Sequence, residues 1–568
     1  MRTLLNGQVS TYSFESHSKT SQIRIHDIKT GQSSLVFEDS SYSEPTWIGE
    51  SHIVFFKSGE KDSTSLLHAD VSKSSSRCVV LCFPKSSFPK VNCLQCASPN
   101  EIYTFEGSVS NLKIKQVADD EFAIVVSALT TPSGSLYNSA TEKKSRSSAK
   151  AYSDLFVRHW DSWQTDNKNE LWYGLLKKSD DKYELQGKGL HRLTGEDGPR
   201  FESPVPPFGG TSDFDVSSSG IVFVSRDPDV SPATTTTTNL YYVPLKSFTD
   251  ADPPLPQQVK TGDLRGYSSS PVFSPDGTKV AFARMKHHQY ESDKPRLLLI
   301  PDIKDLSSVQ EFYETKDGRG GWDTRPDSIT WSNDGKQLFI TAEHRGRTLL
   351  WSLPSSPAEA KDLPTPIFSD GSVTEAKPLG TEGSQLFVTS TSLVDSSCYS
   401  VLDPASKSVE AVSSSSKHGK SFGLSRSQCD EFWYKGAEGY DLHALVVKPS
   451  HFDEKKRYPL AFLIHGGPQG AWLDSWSTRW NPAIFAEQGY VAVMPNPTGS
   501  TGYGTWHTDA IQEEWGGRPY VDLVKCWEYI AKELPYVDTD NGVALGASYG
   551  GYMISENSRT RNSRRITG

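Results

Sequence analysis

Residues 270–282 have the sequence Ser270-Pro-Val-Phe-Ser-Pro-Asp-Gly-Thr-Lys-Val-Ala-Phe282, and a related stretch, Asp327-Ser-Ile-Thr-Trp-Ser-Asn-Asp-Gly-Lys-Gln-Leu-Phe339, follows it. In both stretches an apolar segment ends close to an Asp-Gly pair, and a second apolar segment begins just after it. Asp-Gly supplies the positive-φ position that a tight hairpin turn requires. The pattern therefore predicts a repeated antiparallel hairpin.

Looser copies of the same pattern occur at residues 44–55, 213–223 and 375–387. The aromatic anchors Phe214, Phe273 and Trp331 are 59 and 58 residues apart. Small sheets of this kind cannot bury both faces alone, and radial stacking of repeats leaves only short, protected edges. Residues 1–415 are therefore predicted to form a β-propeller of about seven blades. A set of separate β-sandwiches is the alternative.

The pattern changes after the polar break at Ser413–Ser416. Short apolar strands now alternate with helical segments, which is typical of a doubly wound α/β sheet. The strands are predicted at residues 431–434, 443–447, 458–464, 490–494 and 543–545, and the helices at 481–488 and 520–533. The sequence thus predicts a propeller over 1–415, an α/β-hydrolase domain over 416–553 and a polar tail over 554–568.

The segment with a chemical signature is Gly546-Ala547-Ser548-Tyr549-Gly550, which fits the pattern G-x-S-x-G. It directly follows a predicted buried strand and precedes a predicted helix, as a nucleophile elbow requires. The turn would lift the Ser548 hydroxyl above the sheet, and the backbone N–H of Tyr549 would face a developing oxyanion. An ordinary glycine-rich turn is the alternative interpretation.

A second oxyanion donor is expected from the loop after an earlier strand. His465-Gly466-Gly467-Pro468 follows the apolar strand at 458–464, and its two glycines allow the backbone to approach a substrate closely. In α/β-hydrolases the base follows the nucleophile along the chain, whereas His465 precedes Ser548. We therefore interpret His465 as a structural member of the loop and not as the base.

Two further motifs stand between these segments, at Pro495–Gly504 and Trp515–Asp522. Together with residues 465–468 and 546–553, they closely resemble the prolyl oligopeptidase family, most of all the branch that holds acylaminoacyl peptidases and fungal dipeptidyl peptidases. Segments at 10–14, 27–32 and 157–161 carry the same resemblance, which covers about residues 9–553.

The resemblance implies a serine peptidase whose propeller restricts access, so that it acts on short peptides and releases dipeptides from their N-terminus. Ser548 would be the nucleophile, and the backbone of Tyr549 and of Gly466 or Gly467 would form the oxyanion hole. No cofactor or metal is implied. Arg158, Trp160 and Asp161 would meet the peptide, the alternative being an internal ion pair beside a packed tryptophan. Fungal relatives of this kind are secreted, so secretion is implied as well.

The residues after Ser548 do not supply the acid and the histidine of a catalytic triad. A serine needs a base to take its proton, and in this fold the acid and the histidine follow the nucleophile. Residues 549–568 contain no histidine and no aspartate, and Glu556 is their one acid. Family-like sequence is judged to end at Met553, so we expect an incomplete, inactive hydrolase half with Val543–Ala547 at an exposed apolar edge. A non-catalytic propeller scaffold is the alternative function, although a scaffold has no reason to keep the elbow.

Composition narrows the remaining function classes. The formal net charge is −10, which disfavours binding to phosphate backbones and therefore to nucleic acid. No apolar run approaches the ~18 residues of a membrane span, and Leu4-Leu5 is shorter than the core of a signal peptide. Taken from Met1, this start indicates a cytoplasmic protein. The oligomeric state is left open.

Four of the seven cysteines, Cys78, Cys82, Cys93 and Cys96, form a C-x3-C…C-x2-C pattern. Such spacing can hold zinc. The surrounding segment is rich in apolar residues, and cysteine is at home in packed strands. We therefore favour burial or a local disulfide over a metal.

Overall fold

The computed structural model describes residues 4–72, 98–143, 146–153, 155–180, 182–187, 189–380 and 385–559. The chain divides into two compact units. Unit 1 comprises residues 1–289 and 298–310, and unit 2 comprises residues 290–297 and 311–568. The predicted cysteine pattern at 78–96 and the last residues of the predicted tail lie outside the described residues.

The first four sheets of the chain belong to unit 1, and they are antiparallel meanders. The first sheet contains β1 (Leu4–Ser13), β2 (Ser18–Asp27) and β3 (Ser33–Glu38), and the second contains β4 (Tyr42–Ile48), β5 (His52–Ser58), β6 (Thr64–Asp70) and β7 (Asn100–Phe105). The third contains β8 (Val109–Ala118), β9 (Glu121–Thr130), β12 (Lys168–Ser179), β13 (Lys182–Leu185) and β14 (His191–Arg192), and a separate hairpin of β10 (Arg158–His159) and β11 (Ser162–Trp163) lies between β9 and β12 in the chain. The fourth contains β15 (Phe214–Ser217), β16 (Gly220–Arg226), β17 (Thr238–Pro244) and β18 (Gln257–Gln258).

Three more four-stranded meanders follow, and the division between the units passes through the first of them. Their strands are β19 (Ser268–Phe273), β20 (Val280–Arg284), β21 (Arg296–Ile300), β22 (Gln310–Glu311); β23 (Pro326–Trp331), β24 (Gln337–His344), β25 (Arg347–Pro354), β26 (Thr365–Phe368); and β27 (Ser372–Leu379), β28 (Gln385–Thr391), β29 (Cys398–Leu402), β30 (Val409–Ser414). The described residues thus form the seven blades of a β-propeller, which confirms the prediction; separate β-sandwiches were the wrong alternative.

The repeated Asp-Gly pair occupies the turn that the sequence predicts. In the fifth blade, Gly277 has a φ of 70°, and the Asp276 carboxylate accepts hydrogen bonds from the Ser274 hydroxyl at 2.5 Å and from the Thr278 N–H at 3.1 Å. The hydrogen bond from Ser274 is the main cause that lowers the pKa of Asp276. Asp334 in the sixth blade makes the same pair of contacts. The repeat therefore encodes a side-chain-closed hairpin turn.

The sheet of the hydrolase domain lies within unit 2. Its strands are β31 (Cys429–Lys435), β32 (Asp441–Val447), β33 (Tyr458–Ile464), β34 (Val491–Asn496) and β35 (Val537–Gly546). They are ordered β31-β32-β34-β33-β35, with β33 parallel to both β34 and β35. Strands β33 and β34 are almost wholly buried because they are apolar on both faces.

Four helices of the described residues accompany this sheet: α1 (Pro482–Glu487), α2 (Thr505–Asp509), α3 (Arg518–Glu533) and α4 (Tyr549–Arg559). The α1 helix begins where Asn481 caps the Ala483 N–H at 3.0 Å, with Pro482 in the first turn. In α3 the apolar face buries Leu523, Trp527 and Ile530 against the sheet. No helix of the described residues has the length and apolarity needed to cross a membrane.

The edge strand β35 is less buried than its neighbours. Strand β35 lies at the edge of the sheet, as predicted, but only Gly546 and Ala547 are exposed, whereas Val543, Ala544 and Leu545 are half-buried. The predicted domain boundary at residue 415 falls between β30 and β31, whereas the compact units divide near residues 290–310. The predicted domain boundaries therefore stay predictions.

Candidate active site

The predicted elbow is formed where β35 passes into α4. Gly546 ends the strand, Tyr549 begins the helix, and Ser548 between them has a φ of 58°. A positive φ at a residue with a Cβ is sparsely populated, and such strain is concentrated at functional sites. Ser548 is exposed, whereas Tyr549 and Gly550 are buried beneath it. The turn therefore presents the serine side chain to a ligand.

Close backbone packing explains both glycines of the motif. A Cβ at Gly546 would lie 2.5 Å from the carbonyl carbon of Gly550, and a Cβ at Gly550 would lie 2.3 Å from the carbonyl oxygen of Ile464. Real Cβ atoms are never found so close to backbone atoms. The glycines thus allow α4 to begin directly against the ends of β35 and β33.

The predicted oxyanion loop lies beside the serine. A Cβ at Gly466 would be 3.5 Å from the Cβ of Ser548 and 3.3 Å from the Ala547 carbonyl oxygen, so the two segments are in contact. Gly467 has a φ of 124°, which only glycine adopts readily. Within the described residues, the backbone N–H groups of Gly466, Gly467 and Tyr549 have no backbone acceptor outside regular elements. The role of Gly466, Gly467 and Tyr549 as oxyanion donors stays a prediction.

The two ring nitrogens of His465 hydrogen-bond within the loop region and not to Ser548. Its Nε2 lies 2.9 Å from the Ser500 hydroxyl, and its Nδ1 lies 2.6 Å from the Gly466 carbonyl oxygen. Burial lowers the pKa of His465. Within the described residues, the Ser548 hydroxyl forms no side-chain hydrogen bond, so no base is assembled on it there.

Sequence reasoning missed the role of Asp522, which fixes two loops of the site. One carboxylate oxygen accepts the Ala437 N–H at 2.6 Å, and the other accepts the Thr498 N–H at 2.8 Å. Asp522 is completely buried on α3. The family resemblance included the motif Trp515–Asp522, but only the fold shows which backbone N–H groups donate to the Asp522 carboxylate.

Replacing Asp522 with asparagine should destabilise the protein by about 3 kcal/mol, because one of the two buried N–H groups would then face an amide nitrogen. Chemical denaturation followed by fluorescence measures this change. Asp540→Asn is the matched control, since Asp540 is exposed and should change the free energy of unfolding by less than about 0.5 kcal/mol. Equal effects at the two positions would contradict the clamping role of Asp522.

A buried polar chain supports the loop after β34. Asn496 donates from Nδ2 to the Tyr503 hydroxyl at 2.8 Å, and that hydroxyl lies 2.7 Å from Nδ1 of His443. Burial is the main cause that lowers the pKa of His443 to about 4. His443 is therefore neutral at physiological pH, and its Nδ1 can accept a hydrogen bond from the Tyr503 hydroxyl.

A cleft of about 500 Å³ lies within unit 2 beside this loop. Its walls carry aromatic side chains and charges of both signs: Trp322, Trp433, Tyr440, Trp506, Lys294, Arg325, Arg345, Asp323, Glu343 and Asp509. Burial raises the pKa of Glu343 and lowers that of Arg325. Walls of this kind suit a ligand that has apolar groups together with positive and negative ones.

Tyr290 joins the cleft to the oxyanion loop. Its hydroxyl donates to the Asp509 carboxylate at 2.7 Å and accepts from the Gln469 amide at 2.9 Å. Gln469 is three residues beyond Gly466, whereas Ser548 is not among the residues that line the cleft. One tyrosine thus connects the two features by direct hydrogen bonds.

The three residues predicted to meet the peptide lie on the β10–β11 hairpin of unit 1. Trp160 is 64% exposed and contacts Phe208, and the Arg158 guanidinium lies 5.8 Å from the ring centre of Trp163. Asp161 accepts a hydrogen bond from Ser162. Trp160 is therefore not enclosed by its neighbours, and peptide contact by Arg158, Trp160 and Asp161 stays a prediction.

A serine on a strained strand-to-helix turn, next to a glycine loop with free backbone donors, defines a serine hydrolase of the α/β-hydrolase fold. The family model described as the prolyl oligopeptidase family matches residues 476–561. Dipeptidyl-peptidase 5 of Aspergillus fumigatus is 40% identical over 555 residues, covering 96% of this chain and 72% of the relative. Dipeptidyl-peptidase 5 of Trichophyton schoenleinii is 38% identical over 558 residues, with the same coverage. The chain belongs to the prolyl oligopeptidase family of serine peptidases.

Solved structures agree on the fold. An acylaminoacyl peptidase in complex with Z-Gly-Gly-Phe-chloromethyl ketone aligns with a TM-score of 0.67 at 14% identity, over 99% of this chain and 74% of that one. The uncomplexed Pyrococcus horikoshii acylaminoacyl peptidase aligns with a TM-score of 0.67 at 14% identity, over 100% of this chain and 74% of that one.

One expectation about the end of the family-like region needs correction. The family match continues to residue 561, and α4 continues to Arg559, beyond the predicted limit at Met553. Glu556, the one acid after Ser548, lies on α4, which begins directly after the serine. The polar sequence after Met553 therefore begins inside a family element and not after it.

Proposed function

We propose that this protein is a serine-type dipeptidyl peptidase, which forms an acyl-enzyme on Ser548 and releases dipeptides from the N-terminus of short peptides. The observation that carries the proposal is the contact between the strained Ser548 turn and the Gly466 loop. A carbonyl attacked by Ser548 would develop its negative charge beside the free N–H groups of Tyr549 and of Gly466 or Gly467. Charge stabilisation of this kind accelerates acyl transfer strongly.

The choice of dipeptides rests on the relatives, two of which carry the name dipeptidyl-peptidase 5 at 38–40% identity. The cleft next to the oxyanion loop is compatible with it. A short peptide combines an ammonium, a carboxylate and apolar side chains, and the cleft offers carboxylates, guanidinium groups and aromatic rings.

We further propose that the 568-residue polypeptide on its own is catalytically impaired. Ser548 has no hydrogen-bonded base in the described residues, and residues 549–568 contain no histidine or aspartate. A serine without its base and orienting acid loses most of its catalytic power. A non-catalytic scaffold would also be inactive, so inactivity alone does not distinguish the two functions. The mode of cleavage is therefore tested in a chain to which a base and an orienting acid have been added after Ser548.

The test uses a chimera in which residues 1–559 are continued by the carboxyl-terminal segment of the Aspergillus fumigatus relative that lies beyond the aligned region. We expect this chimera to shorten an unblocked heptapeptide by successive dipeptides, which mass spectrometry detects. The same peptide with an acetylated N-terminus should stay intact. Release of single residues, cleavage of the acetylated peptide, or no cleavage by a folded chimera would contradict the proposal.

A further inference from the structure

A cysteine, a histidine and an aspartate converge at the end of the last propeller blade, in unit 2. Asp395 follows β28, Cys398 begins β29, and His418 lies in the loop after β30. Asp395 is buried, Cys398 is half-buried, and the His418 ring is exposed. Within the described residues, theirs is the one group of three such side chains whose ligand atoms all lie within 4.8 Å of one another.

The three ligand atoms form a compact triangle. The Cys398 Sγ lies 2.8 Å from the Asp395 Oδ2 and 3.8 Å from the His418 Nδ1. The His418 Nδ1 lies 3.4 Å from the same Asp395 Oδ2. One oxygen, one nitrogen and one sulfur atom thus lie close enough together to be considered as ligands of one ion.

This triangle can be compared with tetrahedral zinc. Zinc bonds of roughly 2.3 Å to sulfur, 2.0–2.1 Å to nitrogen and 2.0–2.2 Å to oxygen place tetrahedral ligand atoms about 3.3–3.6 Å apart. The distances from His418 to Asp395 and Cys398 already agree with these values within about 0.2 Å. The Sγ–Oδ2 distance is shorter because the thiol donates a hydrogen bond to the carboxylate, and it would have to lengthen by about 0.7 Å on metal binding.

The carboxylate is held in position from behind. Its Oδ1 accepts from the Ser416 hydroxyl at 2.6 Å, and its Oδ2 accepts from the Ser414 hydroxyl at 2.8 Å. The Ser414 hydroxyl also accepts a hydrogen bond from the backbone N–H of His418 at 2.7 Å. The Ser416 hydroxyl accepts one from the backbone N–H of Gly419 at 2.9 Å. Hydrogen bonds of this kind orient metal ligands, and here they fix the carboxylate and the histidine backbone together.

The alternative for such a cluster is an activated cysteine nucleophile. That arrangement needs the base within hydrogen-bond reach of the sulfur. The Cys398 thiol donates to Asp395 at 2.8 Å, whereas the His418 Nδ1 lies farther away, at 3.8 Å. Burial together with the hydrogen bond to Asp395 raises the pKa of Cys398. The cluster holds a protonated thiol and therefore does not favour nucleophilic chemistry.

We propose that Asp395, Cys398 and His418 bind a Zn²⁺ ion through Oδ2, Sγ and Nδ1, with a water molecule as the fourth ligand. On binding, the thiol proton leaves to solvent and the metal takes its place between sulfur and oxygen. The ion would clip the loop that follows β30 to the last blade. None of the three ligands belongs to the proposed catalytic site. A negative result for metal binding can therefore be told apart from a negative result for peptidase activity.

The experiment titrates the metal-free 568-residue chain with Co²⁺, which replaces Zn²⁺ and gives a thiolate charge-transfer band in the near ultraviolet. We expect Cys398→Ser to remove one equivalent of bound metal and its share of this band. His418→Ala should also lose that equivalent, and because its side chain is exposed the variant should fold. Zn²⁺ should displace the cobalt stoichiometrically.

Cys429→Ser is the matched control, since Cys429 is another half-buried free thiol in unit 2 and lies outside the cluster. It should bind as much Co²⁺ as the parent chain. Ser416→Ala should weaken binding roughly 10–100-fold, because it removes a support of the carboxylate. Metal bound equally by the parent, Cys398→Ser and His418→Ala chains would overturn the proposal, and it would assign any bound ion to other residues.

Discussion

The chimera described above is expected to hydrolyse a dipeptidyl p-nitroanilide on the order of 10⁶-fold faster than the 568-residue polypeptide, because it supplies a base and an orienting acid to Ser548. In α/β-hydrolases both groups follow the nucleophile along the chain. The elbow and the Gly466 loop already have a geometry suited to acyl transfer. The gain should therefore appear mainly in kcat.

Ser548→Ala in the chimera is the control, and it should return the rate to that of the 568-residue chain. Labelling with a fluorophosphonate reports the same contrast without turnover: the chimera should react, whereas its Ser548→Ala variant and the shorter chain should not. Rapid, serine-dependent labelling of the 568-residue chain would show that Ser548 is activated by groups already present. The proposed impairment would then be wrong.

Gly550→Ala is expected to destabilise the protein by about 3 kcal/mol, and Gly551→Ala to leave it unchanged or more stable by about 0.5 kcal/mol. A Cβ at Gly550 would meet the Ile464 carbonyl oxygen at 2.3 Å, so backbone must move. A Cβ at Gly551 would lie 3.6 Å from the Gly546 carbonyl oxygen, which is ordinary contact. The two neighbours on one helix thus differ only in what surrounds them.

Urea unfolding monitored by tryptophan fluorescence measures both variants. Since Gly550 holds the start of α4 against β33, the first variant should also displace Ser548. In the chimera, Gly550→Ala should therefore lower kcat more than Gly551→Ala does. Similar stability of the two variants would mean that α4 does not pack as closely as the structure shows.

The sequence predicted the elements that carry strong local signals. The strand Tyr458–Ile464 was placed to the residue, because an uninterrupted apolar run between polar segments leaves little freedom. The spacing of 58–59 residues between the aromatic anchors, over residues 1–415, predicted about seven blades, because each blade repeats the same length of chain. The α2 helix, Thr505–Asp509, was missed, since five residues are too few to show a helical period.

Tertiary contacts were beyond the reach of sequence reasoning. Asp395, Cys398 and His418 are separated by 3 and 20 residues, a spacing that signals nothing until β28, β29 and β30 bring them together. Asp522 was recognised as part of a motif, but its two backbone partners are 85 and 24 residues away. Secretion, which the family resemblance implies, stays a prediction.

The division into two units affects the order in which the polypeptide can fold during its synthesis. Unit 1 is nearly continuous in sequence and is complete once residue 310 has emerged. At roughly 5–20 residues per second, the synthesis of residues 311–568 takes about 13–50 s. Since small domains fold within seconds, the early blades can form before the elbow strand is made. Translation order would thus keep the apolar strands of the hydrolase sheet away from unfolded blade segments.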